Sequence, residues 1–118
     1  MSSSTCFRTV SQCASEMNIC IYALTQTFPE NESNVLASQL RCASDSAEIS
    51  IAEGIEFKGR MTDSKFRKLP GIAQDSLHEV QTHLLVARRL KMDDEEMLNK
   101  AEALCIETSE MLSAFNRY

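Results

Sequence analysis

From Phe7 to Phe28 the apolar residues Phe7, Val10, Ala14, Met17, Ile21, Leu24 and Phe28 follow one another at alternating spacings of three and four. That rhythm puts all seven on one helical stripe, and no strand could present them on one face. The stripe ends at Phe28-Pro29, because the residue before a proline is driven out of the α region. The first element is thus a helix over about residues 5–28. It has one long apolar face to bury.

The rest of the chain is of the same kind. Only three glycines and two prolines punctuate 118 residues, so the elements must be few and long. Asn31 to Ser33 can cap a second helix over about residues 32–57. Half of its stretch Gln39–Gly54 is Ala, Ser, Cys or Gly, yet Leu40, Ala43, Ala47 and Ile51 keep helical spacing. So little bulk lets neighbouring helices come close. Gly54 lies near the end of this helix and Gly59 marks its stop.

A third helix is expected over about residues 63–91. Its seam is Phe66, Leu69, Ala73, Ser76, Val80, His83, Ala87 and Leu90, widened by Ile72, Leu77 and Leu84. Pro70-Gly71 predicts a kink, or a restart with Pro70 in the first turn. Arg88, Arg89 and Lys91 suit the negative end of a helix dipole. Asp93, Asp94, Glu95 and Glu96 suit the positive start of a fourth helix, over about residues 93–117. Its seam is Leu98, Ala101, Cys105, Thr108, Leu112 and Phe115. Four helices with short connections predict an all-α, antiparallel up-down-up-down four-helix bundle in a single domain, residues 1–118.

Composition narrows the function classes. No apolar run reaches the roughly 18–20 residues of a membrane span. MSSSTCFRTV has no apolar signal core, which argues against secretion. Five cysteines with no CxxC and no zinc spacing fit reduced thiols in a cytoplasm. The net charge is −5, distributed as −5 over residues 1–57, +5 over 58–91 and −5 over 92–118. An acidic chain is a poor nonspecific nucleic-acid binder, although its basic middle can attract a polyanion locally.

With the helices placed, the chain resembles the small four-helix-bundle proteins encoded in intervening sequences of bacterial 23S ribosomal RNA genes, and their freestanding relatives. The resemblance rests on Phe28-Pro29-Glu30, Glu32, Gln39-Leu40-Arg41, Ala43, Ile51-Ala52-Glu53-Gly54, Arg60, Phe66, Ile72-Ala73, Ser76-Leu77, Glu79, Leu84 and Ala87. It covers roughly residues 15–118. It implies a cytosolic bundle, a ring-like homopentamer and no established catalytic activity. A distantly related bundle, the accessory protein of diversity-generating retroelements, binds a reverse transcriptase and nucleic acid through a basic surface. The chain departs from the family pattern at Cys42, where a second arginine is usual, at Ser50 and near Glu48, and at Pro70-Gly71. Loss of the arginine weakens a nucleic-acid role and leaves the packing surfaces intact.

Cys6, Cys13 and Cys20 recur every seven residues, about 10.5 Å apart along a helix, so they cannot share one metal ion and read as small residues flanking the core. Glu79 and His83 are one turn apart, but no Glu-x-x-His completes a di-iron pattern. His83 reads as a core or interface histidine, with His78 on the flank. Arg41 and Glu53 are about 18 Å apart on one helix, so they cannot pair with each other and each is either paired elsewhere or solvated. Glu53 is expected to anchor Arg60 or a base on the third helix, and Arg41 to reach an acidic residue on a neighbouring subunit.

Apolar rows in excess of one core seam, Val35, Cys42 and Ile49 on the second helix and Met97, Leu104 and Met111 with Tyr118 on the fourth, suit subunit contacts. Lys58, Arg60, Lys65, Arg67 and Lys68, near Phe57 and Phe66, form a candidate RNA patch. The sequence reads best as a non-enzymatic, homo-oligomeric scaffold or adaptor in the cytoplasm, without cofactor or metal. An RNA- or ribonucleoprotein-associated protein is the alternative. A bundle enzyme comes third, because nothing supplies a nucleophile–base pair or full ligand set.

Overall fold

The computed structural model describes residues 9–29, 34–56, 64–91 and 95–116. Among them are four α-helices and no strands: α1 Val10–Gln26, α2 Asn34–Glu56, α3 Ser64–Arg89 and α4 Glu95–Asn116. The fold is all-α, as the spacing predicts. Phe7, Cys6, Gly59 and Tyr118 lie outside the described residues.

The start of α1 is set by a capping box. The Gln12 amide donates to Thr9 Oγ1 at 3.0 Å, and the Thr9 amide donates to Gln12 Oε1 at 2.9 Å. Two N–H groups that a helix start would leave bare are thereby satisfied. At the other end the Thr27 amide and hydroxyl both donate to the Leu24 carbonyl, and the chain leaves the helix ahead of Pro29.

Pro70 does not restart α3. One helix runs from Ser64 through Pro70 to Arg89, with Pro70 in its second turn. Proline there withdraws one N–H from the ladder, and the helix accommodates the loss near its end. The helix stops two residues short of the expected Lys91. Lys91 itself takes the left-handed conformation, φ 55°, and its amide donates to the Arg88 carbonyl at 3.1 Å. This closes the turn where a glycine would ordinarily stand.

Each helix packs against its sequence neighbours, and α1 also closes on α4. The backbones of α1 and α3, and of α2 and α4, stay apart. The core between them contains Met17, Ile21 and Leu24 of α1, Leu40 of α2, and Leu77, Val80 and Leu84 of α3. On α4, Leu98, Ala101, Cys105, Thr108 and Leu112 are buried. The seams of α1, α2 and α4 are buried at every predicted position that is described.

The α3 seam needs correcting at two residues. Leu90 is 61% exposed, because the helix has ended and the backbone is turning toward Lys91. Ile72 is 44% exposed, one position off the buried line of Leu69, Ala73, Ser76 and Val80. His83 is partly buried.

The α2–α3 contact is the most extensive in the molecule. Small residues explain it: Ala43, Ser44, Ala47 and Ser50 of α2 and Ala73 and Ser76 of α3 are all buried. Ser76 Oγ donates to Ser46 Oγ at 2.9 Å across the seam.

Candidate functional site

Beside the seam of α1 stand Asn18, Tyr22 and Thr25, three and four residues apart, and therefore on one edge of the helix. That edge faces α2, where Arg41, Asp45 and Glu48 have the same spacing. The six side chains form a connected polar cluster. Asn18 Nδ2 donates to Asp45 Oδ1 at 3.0 Å and to Glu48 Oε1 at 2.7 Å. The Tyr22 hydroxyl donates to Asp45 Oδ2 at 2.8 Å. Thr25 Oγ1 donates to its own helix, to the Ile21 carbonyl at 2.9 Å, and accepts from Arg41 Nε at 2.7 Å. The Arg41 guanidinium lies over the Tyr22 ring, 5.1 Å from its centroid.

The electrostatics follow from these partners. The Asp45 carboxylate accepts the Tyr22 hydrogen bond and favours the neutral phenol, which pushes the Tyr22 pKa up. Asp45 has both oxygens engaged by α1, and Arg41 forms no ion pair among the described residues. Its terminal nitrogens are left beside a shallow groove of about 370 Å³ lined by Ala37, Ser38, Arg41, Cys42 and Asp45.

Among the described residues the partners of Arg41 are a hydroxyl, Thr25, and an aromatic face, Tyr22. Glu53 is exposed and forms no ion pair among the described residues. Arg60 and Lys58 lie outside those residues, as do the side chains of Lys65 and Arg67, while Lys68 is exposed. Of the proposed contact rows, Val35, Cys42 and Ile49 are exposed on α2. On α4, Leu104 is buried in the core, and Met97 and Met111 are half-buried against it. Ile19, Ile106 and Val86 are exposed, and the heptad spacing gives no sign of them.

The cysteines fall inside. Cys13 is fully buried against α4, with Thr108 Oγ1 3.2 Å from its sulfur, and Cys20 faces the Met97 carbonyl. Cys105 Sγ donates to the Leu77 carbonyl at 3.3 Å, and burial pushes its thiol up to about 12. Burial also raises Cys20, against a smaller opposing effect of Lys100. No three His, Cys, Asp or Glu side chains converge as a metal set among the described residues. Glu79 and His78 are exposed, with His78 Nδ1 3.2 Å from the Gln74 carbonyl. No described helix is long and apolar enough to cross a membrane.

A second polar contact joins α3 to α4. Arg88 donates to Glu102 Oε1 and Asn99 Oδ1, each at 3.0 Å, and lies 3.7 Å from Glu95. The charge reversal read at this turn thus becomes a clasp across it.

The family model for the 23S rRNA-intervening sequence protein matches residues 8–114. The chain belongs to that family. No curated protein matches it. The match to the 23S rRNA-intervening sequence protein family takes in nearly the whole chain, all of the Arg41 cluster included. It also covers the Phe28-Pro29, Gln39–Arg41 and Ile51–Gly54 stretches that first suggested the likeness.

Proposed function

We propose that this member of the 23S rRNA-intervening sequence protein family is a non-enzymatic, self-associating scaffold or adaptor of the cytoplasm. Its fold is an antiparallel up-down-up-down bundle, and its assembly is a ring, pentameric as the family resemblance implies. The alternation of direction is supported by reversed pairings. Cys13 meets Leu104 and Cys20 meets Met97; Asn18 meets Asp45 and Thr25 meets Arg41. Ser46 meets Ser76, and a Cβ on Gly54 would meet Leu69. Leu77 meets Cys105, and Arg88 meets Glu102.

One observation carries the assembly reading: large apolar side chains stay exposed on two different faces. On the α2–α3 face are Val35 (67% exposed), Ile49 (56%), Ile72, Val86 and Leu90. With the register set by Ser46–Ser76, Ile49 comes level with Ile72, and Val35 with Val86 and Leu90. Ile19 (68% exposed) lies on α1 across the bundle, and Ile106 lies on the α3 edge of α4, with Asn99, Glu102 and Ser113. Contiguous exposed apolar patches usually mark interaction surfaces. Two unlike faces that meet head to tail form a heterologous contact, which closes into a ring when the rotation allows. A ring repeats one binding surface and raises avidity without strong single-site contacts.

Light scattering after size exclusion, with native mass spectrometry, tests this. The expected mass is about five times the 13.2 kDa chain. Val35→Lys with Ile49→Lys should reduce it to one chain with helicity unchanged. A single-chain mass for the wild-type protein throughout the micromolar range is incompatible with the proposal.

A further inference from the structure

Arg41 and Asp45 stand one turn apart on α2 with opposite charges, a spacing at which helical side chains commonly pair. They form no ion pair with each other, because α1 holds each of them separately. Arg41 Nε donates to Thr25 Oγ1, and the guanidinium rests on the Tyr22 ring. Asp45 accepts from Asn18 on one oxygen and from Tyr22 on the other. All of these α1 partners are neutral, so both charges persist. Both side chains line the groove of about 370 Å³ that Ala37, Ser38 and Cys42 complete. The Arg41 Nη groups have no partner among the described residues, and each Asp45 oxygen keeps a second lone pair. Side chains fixed before a ligand arrives lose less entropy when it binds.

We infer that this groove binds the headgroup of a free α-amino acid, its α-carboxylate on the Arg41 Nη groups and its α-ammonium on Asp45. The planar guanidinium fork suits a carboxylate, and the Asp45 carboxylate can accept from an ammonium. A ligand with both charges on one carbon completes, across the groove, the ion pair that the two side chains leave unmade. Other small ions suit it less. A simple carboxylate satisfies Arg41 but faces the negative charge of Asp45. A phosphate or an RNA backbone meets Asp45 and, beside it, Glu48. A simple amine faces the positive charge of Arg41. In a peptide the terminal ammonium and carboxylate are separated by the chain, which selects a free amino acid. The exposed Ser38 hydroxyl adds a polar contact at the groove wall. The groove is shallow, so the affinity expected is millimolar and the ligand's own side chain counts for little. Every group of the site belongs to one chain, so the inference does not depend on the self-association proposed above.

The test is calorimetric titration of the full chain with L-alanine, N-acetylalanine, alanine methyl ester, acetate and inorganic phosphate. L-alanine should bind saturably, and each blocked or single-charge analogue should bind about tenfold more weakly, having lost one charged contact. Arg41→Met, which still covers Tyr22, should weaken L-alanine binding by a similar factor. Asp45→Asn, which still accepts from Tyr22, should weaken L-alanine and leave acetate as it was or tighter. Circular dichroism on each variant checks that the helices are retained. Absence of saturable L-alanine binding by the wild type overturns the inference. So does acetate or phosphate binding as tightly as L-alanine, or folded Arg41→Met binding it unchanged. A single-chain wild type that binds L-alanine would overturn the assembly proposal and leave this site standing.

Discussion

Tyr22 is the hub of the α1–α2 contact: its ring carries the Arg41 guanidinium, and its hydroxyl donates to Asp45 at 2.8 Å. One residue beside the apolar seam thus engages two opposite charges on the facing helix. The Asp45 bond is the main reason the Tyr22 pKa lies above its ordinary value of 10. A group whose folded pKa is raised stabilises the fold below its unfolded pKa. That contribution disappears as pH climbs through the folded value. Ultraviolet titration should find a tyrosine ionising above pH 10, with Tyr118 as the only other contributor. Asp45→Ala should bring the Tyr22 midpoint down. An unchanged midpoint contradicts the assignment.

Thiol chemistry should separate the cysteines. Cys13, Cys20 and Cys105 are buried and Cys42 is exposed. In a Cys6→Ser background, native protein should expose Cys42 to a disulfide reagent at once. The buried three should react slower by a factor on the order of 10³ or more, since they wait for unfolding. Cys42 should slow as protein concentration rises, if assembly covers its row. Burial raises Cys105 to about 12, so its contribution is present below pH 9 and is lost as pH rises toward 12. Rapid native labelling of Cys105 would refute its placement.

Two serines at the centre of the bundle should respond with opposite signs. Ser44 is fully buried and its hydroxyl has no hydrogen-bond partner among the described residues. Ser44→Ala removes an unsatisfied polar group and should stabilise the protein by about 1 kcal/mol. Ser76 donates to Ser46 across the α2–α3 seam, so Ser76→Ala should cost about 1 kcal/mol. Urea unfolding gives both values; equal signs would rule out this account.

The helical glycines should be replaceable. A Cβ at Gly54 would meet Leu69 Cβ at 3.9 Å, an ordinary contact, and one at Gly71 would meet nothing within 4 Å. Alanine at either position should stabilise its helix by about 0.5–1 kcal/mol, since glycine loses more conformational freedom on folding. A drop in melting temperature for Gly54→Ala would show that the helices are closer than these distances.

The helices could be read from the sequence because their signals are local and repeated. The 3-4 rhythm from Val10 to Phe28, the proline after it and the basic-to-acidic switch after Arg89 each act over a few residues. Pro70 left a kink and a restart both open, and only the continuous helix from Ser64 to Arg89 excludes the restart, because a proline signal cannot report how tightly the surrounding turns are held by packing. Leu90 was misread because the seam was followed one residue past a stop that lacks a glycine. The Arg41 cluster was half legible. Arg41 itself stood out as a charge in a small-residue helix, while Asn18, Tyr22, Thr25 and Asp45 became partners only once α1 faced α2. Their three- and four-residue spacing was visible, but it does not say which helix the edge meets.

The closing of α1 on α4 bears on how the chain comes to fold as one unit. Three of the four helix contacts join neighbours in sequence, as when Leu77 meets Cys105 across 28 residues. The fourth joins Cys13 to Leu104 across 91. Loop-closure entropy grows only as the logarithm of length, so this last contact costs about 1 kcal/mol more than the α3–α4 contact. That small surcharge turns a string of helices, free to fray from either end, into a closed circuit. The order of assembly can therefore be local and fast, with cooperativity conferred at the final step by the buried cysteine row.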